Sequence, residues 1–301
     1  MRPLIRRKIT LSMVVFALLL TACSSTTFFY NRLDALLPWY VERFVDLERD
    51  QRAQLDQLLE TFLIKHRREE LPSYVAILDQ ALSTLEGPVT RAQVAEIYRE
   101  GERAAARLQQ KSLTWMLVMG AELSDAQIHA FIAELNERQQ DYREEYLSRD
   151  DQAYRREIAR SLVSFGKRYL GRLEQAQRTH LGEAAESVQR WDSIWYEERA
   201  DMIASLESLL IERRPGWQRA VRDLLKAPYR RPEARHALDH NLAVLQGAVA
   251  DLLNSRTERQ DRHLRRELTG LRSDLVALMD EAEGAVFAQA NETGGDTGIV
   301  R

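Results

Sequence analysis

Apolar residues recur at three- and four-residue spacing along almost the whole chain, and no stretch keeps the period of two that a half-buried strand needs. Leu55, Leu58, Leu59, Phe62 and Leu63 form one such stripe, and Leu264, Leu268, Leu271, Leu275 and Leu278 form another. A stripe of this kind lies on one side of a helix and has to be buried against a neighbour. Only 13 Gly and 7 Pro interrupt 301 residues, while Leu, Ala, Arg, Glu and Gln, all strong helix formers, are abundant. The expected fold class is all-α: an array of antiparallel helical hairpins, about eight to ten helices, with no sheet.

The punctuation places the breaks. They fall at Pro38, before Pro72, at Gly87-Pro88, around Ser148–Asp151, at Gly171, at Arg214-Pro215-Gly216, and at Pro228 and Pro232. The stretch from Leu181 through Trp191, Trp195 and Ile203 to Leu210 has no proline and reads as one continuous helical stretch. Residues 28–290 are expected to form a single helical domain with a hinge at 215–232, followed by a disordered tail at 291–301 that contains Gly294 and Gly295.

The first 22 residues read as a secretory signal peptide. Arg2, Arg6, Arg7 and Lys8 precede a short apolar run from Ile9 to Leu20. A helix needs about 20 apolar residues to cross a bilayer, and this run is shorter. Leu20-Thr21-Ala22-Cys23 then resembles the bacterial lipobox. The resemblance implies cleavage before Cys23 and lipid on its thiol, with residues 23–27 as a lipidated tether. Two or more acyl chains give stable attachment where one gives marginal binding. Ser24 and Ser25 follow, with no Asp at the second mature position. By analogy with Gram-negative lipoproteins, this places the protein at the outer membrane, facing the periplasm.

Cys23 is the only cysteine, so the domain behind it has no thiol for disulfides, catalysis or metal binding. The whole chain carries a formal charge of −3, and removing the basic leader makes it more acidic. That balance argues against a nucleic-acid partner, which calls for a basic patch on a basic domain.

Two helices open with one phrase, Val89-Thr90-Arg91-Ala92-Gln93 and Leu123-Ser124-Asp125-Ala126-Gln127. The hydroxyl can accept from the third helical amide, and the glutamine can reach back to the cap's own N–H. Degenerate copies occur at Leu47–Gln51, Leu173–Gln177 and Arg256–Gln260, with Glu48 and Glu174 in place of the hydroxyl residue. The phrase resembles the Leu-Thr-x-x-Gln motif of small periplasmic helical chaperones and envelope-stress sensors, a few residues at a time. Ordinary helix capping accounts for it.

Phe28-Phe29-Tyr30-Asn31-Arg32-Leu33-Asp34, followed by Leu37-Pro38-Trp39-Tyr40 and Val45-Asp46-Leu47, resembles the opening of an uncharacterised family of Gram-negative lipoproteins. The resemblance implies a helical domain across the mature chain and no activity. This aromatic segment can lie at the bilayer interface, where Trp and Tyr are favoured, or pack as the first core helix.

Candidate chemistry is sparse. Glu233, His236 and His240 are spaced to share a helix face and form a weak metal candidate. A second Glu-x-x-His motif, which a di-iron bundle needs, is missing, because Gln177 and Gln260 precede His180 and His263. Trp191 and Trp195, one turn apart, could form a stacking platform but read as core. The pairs Glu69-Glu70, Glu144-Glu145 and Glu197-Glu198 read as exposed charge. No cofactor is expected beyond the covalent lipid. The expected function is a membrane-held, non-catalytic module that binds another envelope protein. Chaperone-like binding of unfolded clients is the alternative, and an enzyme is the least favoured reading.

Overall fold

The computed structural model describes residues 25–294, with side chains from 26 to 281. The signal segment 1–22, the lipobox with Cys23, and residues 295–301 lie outside the described residues. Among the described residues every regular element is a helix, in keeping with the uniform helical spacing of the sequence. In chain order they are α1 (Ser25–Tyr30), α2 (Leu33–Val41), α3 (Arg49–Glu69), α4 (Leu71–Thr84), α5 (Arg91–Glu122) and α6 (Asp125–Tyr142). After a π-helical turn at Arg143–Leu147 come α7 (Asp151–Leu170), α8 (Gln175–Ser187), α9 (Asp192–Glu212), α10 (Trp217–Lys226), α11 (Pro232–Asn254) and α12 (Glu258–Gly294). These outnumber the eight to ten expected, because the N-terminal segment and the long stretch after Gly171 are each divided.

Three boundaries differ from the sequence reading. The N-terminal segment breaks at Asn31-Arg32 and runs helically through Pro38. Pro38 removes one backbone donor, but its ring is fully buried, and that packing offsets the lost bond. The second difference lies between α8 and α9. Asn241 of α11 accepts from the Gln189 N–H at 2.8 Å and donates to the Gln189 carbonyl at 2.9 Å. An amide side chain thus replaces the helical partners of that residue, and no Gly or Pro is needed. Asn254 does the same for both backbone groups of Val89, at 2.7 and 2.8 Å, where α5 begins. Third, the α12 backbone stays helical through residues 291–294, which were expected to begin the tail.

Two long helices tie the array together. α5 packs on α3, α4, α10 and α11, and α12 packs on α1, α3, α4 and α7. The core is correspondingly divided. Leu55, Leu59, Trp115 and Met119 fill the space between α3 and α5, while Leu71, Tyr74, Leu275 and Leu278 join α4 to α12. Leu173, Leu181, Leu252 and Leu264 close the C-terminal part.

The helix-start phrases do more than cap. Gln51 and Gln127 exchange hydrogen bonds, each side-chain amide donating to the other's Oε1 at 3.1 and 2.7 Å. Each donates its second N–H to a carbonyl five positions before its partner: Gln51 to Glu122 at 2.8 Å, Gln127 to Asp46 at 2.6 Å. Gln177 and Gln260 repeat the arrangement, exchanging bonds at 2.9 Å both ways and reaching Ser255 at 3.2 Å and Arg172 at 2.8 Å. All four still accept from their own cap N–H. The chain therefore holds two clasps of one design, the first closing α3 onto α6 and the second closing α8 onto α12. Gln93 carries the same phrase, is exposed, and bonds only within its own box.

The 215–232 segment is fastened at several points. Trp217 and Val221 are buried, and Gln109 donates to the Leu225 carbonyl at 2.9 Å. The Glu198 carboxylate accepts from the Arg230 and Arg231 N–H groups at 3.0 and 2.7 Å, satisfying backbone donors at the start of α11.

Candidate functional site

The aromatic N-terminal segment has two apolar faces, and the structure buries one of them. Along α1, α2 and the turn that follows them, Thr26, Tyr30, Leu37, Pro38, Val41 and Val45 turn inward. Tyr30 enters the cluster of Leu71, Tyr74, Leu275 and Leu278, and Leu37 and Val41 pack on Leu55 and Leu59. Phe44 is half-buried, with the Arg138 guanidinium 4.0 Å from its ring centroid, and four apolar residues turn outward. Phe28 is 55% exposed and Trp39 56%, with Phe29 and Leu36 beside them.

A polar seat receives Tyr30. His66 of α3 is buried, and both ring nitrogens are engaged: Nδ1 with the Tyr30 hydroxyl at 2.7 Å, Nε2 with the Tyr74 hydroxyl at 3.1 Å. A neutral imidazole has one donor and one acceptor nitrogen, so one tyrosine donates to the ring and the other accepts from it. Burial pushes the His66 pKa down to about 4, the charges of Lys111 and Arg67 adding to the effect and Glu70 opposing it. Burial likewise pushes the Tyr30 hydroxyl up, and that of Tyr74 up to about 12. The three rings form a neutral, hydrogen-bonded cluster, with Tyr30 stacked on His66 and Tyr74 tilted against it.

Asn31, the next residue, closes the rim. It accepts from Arg67 at 2.7 Å and donates to Glu281 of α12 at 3.2 Å, while the Arg67 guanidinium lies over the Tyr30 ring, 5.0 Å from its centroid. The Tyr-Asn pair of the phrase is thus the contact that fixes the N-terminal helix to α3, α4 and α12.

Beneath the seat, Glu70 is only 1% exposed and bonds Arg107 at 2.9 Å and Lys111 at 2.6 Å. Burial alone would raise its carboxyl; Lys111 and Arg107 outweigh burial and hold it below its ordinary range. Glu70 and Glu198 correct the reading of paired glutamates as exposed charge. Neighbours on a helix point about 100° apart, so one member of each pair turns inward while Glu69 and Glu197 stay exposed. The pair Glu144-Glu145 is exposed as expected.

The other sequence candidates do not converge. Glu233, His236 and His240 are exposed on α11, and the His240 Nε2 bonds the Ser187 carbonyl at 2.9 Å. Among the described residues no three His, Cys, Asp or Glu side chains are placed to hold a metal ion. Trp191 and Trp195 face different partners, Tyr229 at 5.2 Å and Tyr142 at 4.4 Å between ring centroids, so they form no shared platform. The cleft at the start of α12 is lined by Arg256 and Arg265, and both are occupied by Asp261 and the Leu85 carbonyl.

His66 was invisible to motif reasoning because its partners lie 36 and 8 residues away. A lone His on an Arg-rich helix carries no spacing signal; only the apolar positions around it, Phe62 and Leu59, hint that its face is buried.

Comparison with known proteins adds a family and nothing more. Residues 43–233 match the model of a family described as "Family of unknown function (DUF6279)". The match begins after the Phe28–Asp34 phrase and the seat contacts of Tyr30. No curated protein and no solved structure matches.

Proposed function

The chain belongs to the DUF6279 family, a family of unknown function, and we propose that it is a lipoprotein held to the outer membrane through Cys23, its helical domain serving as a non-catalytic scaffold for another envelope protein. The observation that supports this reading most is the seat around His66. A domain tethered by a loose leader could sit anywhere within reach of its anchor. Here α1 starts two residues after Cys23 and is fixed to three helices by Tyr30 and Asn31. Lipid on Cys23 would therefore set the domain's position at the bilayer as well as its compartment.

The scaffold reading also draws on the state of the buried ionisable groups. His66 is held by two tyrosines, Glu70 by Arg107 and Lys111, Asp192 by Arg149 and Arg190, and Glu198 by two backbone amides. Each has its hydrogen-bonding capacity spent on holding helices together, the reverse of a base poised toward a substrate. Beyond the N-terminal face, the large exposed apolar side chains among the described residues, Ile64, Tyr98, Val118, Phe165 and Ile211, are spread over four helices, Tyr98 and Val118 standing 20 residues apart on α5. That dispersal favours a scaffold over a cradle for unfolded clients, which needs a contiguous apolar surface.

Replacing Cys23 with Ala tests the anchor. The variant should leave the membrane fraction and lose acyl labelling; unchanged fractionation with Cys23 absent overturns the reading. In-cell crosslinking of the wild type should recover a defined envelope protein. A heterogeneous set of unfolded clients would instead support the chaperone alternative.

A further inference from the structure

We propose that the outward face of α1 and α2 is a membrane-docking surface, in which Phe28, Phe29, Leu36 and Trp39 enter the bilayer interface and Arg32 and Arg43 meet lipid phosphates. The inference rests on the Cys23 anchor and adds to it a second contact that fixes the domain's orientation. The spacing is the first observation. Phe28, Arg32, Leu36, Trp39 and Arg43 follow one another at four, four, three and four residues. Arg32 joins the two short helices, its N–H closing α1 on the Phe29 carbonyl at 3.1 Å and its carbonyl accepting from the Leu36 N–H of α2 at 2.9 Å, and its guanidinium over the Phe28 ring keeps the two ends side by side. The opposite face is already buried. A helix that is apolar on both faces needs a second apolar environment, and the described residues supply only one.

What covers the outer face follows from where the chain leads. Ser25, the first described residue, is two positions after Cys23, a span of at most about 7 Å for an extended chain. Phe28 lies one helical turn further on. An acylated Cys23 therefore brings the bilayer surface to this face before any other part of the protein. The charge pattern agrees. The Arg32 guanidinium lies 5.0 Å from the Phe28 ring centroid and that of Arg43 5.3 Å from Trp39. Neither has an acidic partner among the described residues. The nearby carboxylates are engaged, Asp34 with the Ala35 N–H at 2.8 Å and Glu42 with Arg52. Aromatic rings flanked by unpaired arginines suit an anionic lipid interface, where the ring is buried and the guanidinium reaches the headgroups.

The test uses the full-length lipidated protein in vesicles of phosphatidylethanolamine with a minority of phosphatidylglycerol. With Cys23 acylated, Trp39→Cys leaves a single free thiol for bimane, and Phe165→Cys on α7 is the control. Nitroxide lipids labelled near the headgroup should quench bimane at 39 several-fold more than at 165. Equal, weak quenching in protein that floats with the vesicles overturns the proposal. So does bimane at 39 that is shielded without lipid while the protein sediments as a dimer, because a second copy would then cover the face. Failure of the anchor looks different: bimane enters Cys23 of the wild type, and the protein stays behind in flotation. The face is then tested without the anchor. The Cys23→Ala protein should partition onto the same vesicles at least tenfold better than a form also carrying Phe28→Ser and Trp39→Ser, two exposed positions whose change spares the fold. Equal partitioning refutes the docking surface.

Discussion

Replacing Gln260 with Ala removes a side chain whose four hydrogen-bonding positions are all used. Its oxygen accepts from the Thr257 N–H and from Gln177, and its amide donates to the Arg172 carbonyl and to Gln177, every distance being 2.8 or 2.9 Å. Gln260 is buried, so water does not replace these bonds cheaply. Gln177 keeps the Ser255 carbonyl and hydroxyl as acceptors, which recovers about one bond. At about 1 kcal/mol for each of the remaining three, the substitution should cost about 3 kcal/mol. Gln93→Ala is the matched control: the phrase and box are the same, but the site is exposed and lacks a clasp, so the cost should stay near 0.5 kcal/mol. Urea unfolding measures both, and hydrogen exchange at the Thr257 amide should accelerate in Gln260→Ala alone. A double-mutant cycle of Gln177 and Gln260 should give a coupling of about 1 kcal/mol or more, since the two side chains share bonds. If Gln260→Ala costs no more than Gln93→Ala, the glutamines are caps and the clasp is without energetic weight.

Two further outcomes follow from the buried charges. The folded protein holds His66 near pKa 4 while the unfolded chain titrates at about 6.5, so the unfolded state binds the proton first as pH falls. The stability from a neutral His66 is complete above about 6.5 and is lost on descending toward 4. Between pH 7 and pH 5 the loss should be about 2 kcal/mol in urea unfolding, and His66→Gln should flatten that slope; an unchanged slope in the variant would remove His66 as its source. Glu70, whose carboxyl is held below its ordinary range, adds loss of the same sign only at lower pH. At another buried carboxylate, Glu198→Ala should free the Arg230 and Arg231 amides, cost about 2 kcal/mol, and speed their hydrogen exchange ahead of the core of α11. Protection equal to wild type at those two amides would show that the 215–232 segment is held by Trp217 and Gln109 instead.

What could be read from the sequence was whatever a residue does to its own helix. The apolar spacing, the Gly87-Pro88 break and the helix starts at Thr90 and Ser124 are local signals, and each lies within a residue or two of its place in the structure. What could not be read was set by partners far along the chain. The break at Gln189 exists because Asn241, 52 residues on, supplies the missing hydrogen bonds. Glu70 and Glu198 looked like half of an exposed pair because their neutralising groups come from α5 and from the turn before α11. His66 had no motif at all.

The glutamine phrases show where that boundary lies. Gln93, Gln127 and Gln260 make the same bond to their own cap N–H, and nothing within five residues separates the exposed copy from the clasped ones. The separating feature is a carbonyl five positions before a second glutamine, 76 residues away in one clasp and 83 in the other. A capping phrase repeated within one chain therefore predicts more than helix starts. Each copy presents an amide with an unused N–H pair beside an incoming loop, and two such ends that meet can satisfy each other. The N-terminal segment follows the same logic with apolar surface. Its aromatic residues were plain in the sequence, which left core packing and the bilayer interface as alternatives, and the structure buries one face and leaves the other exposed. The second face, two residues from the proposed lipid, is where the protein's own packing ends and its surroundings have to complete it.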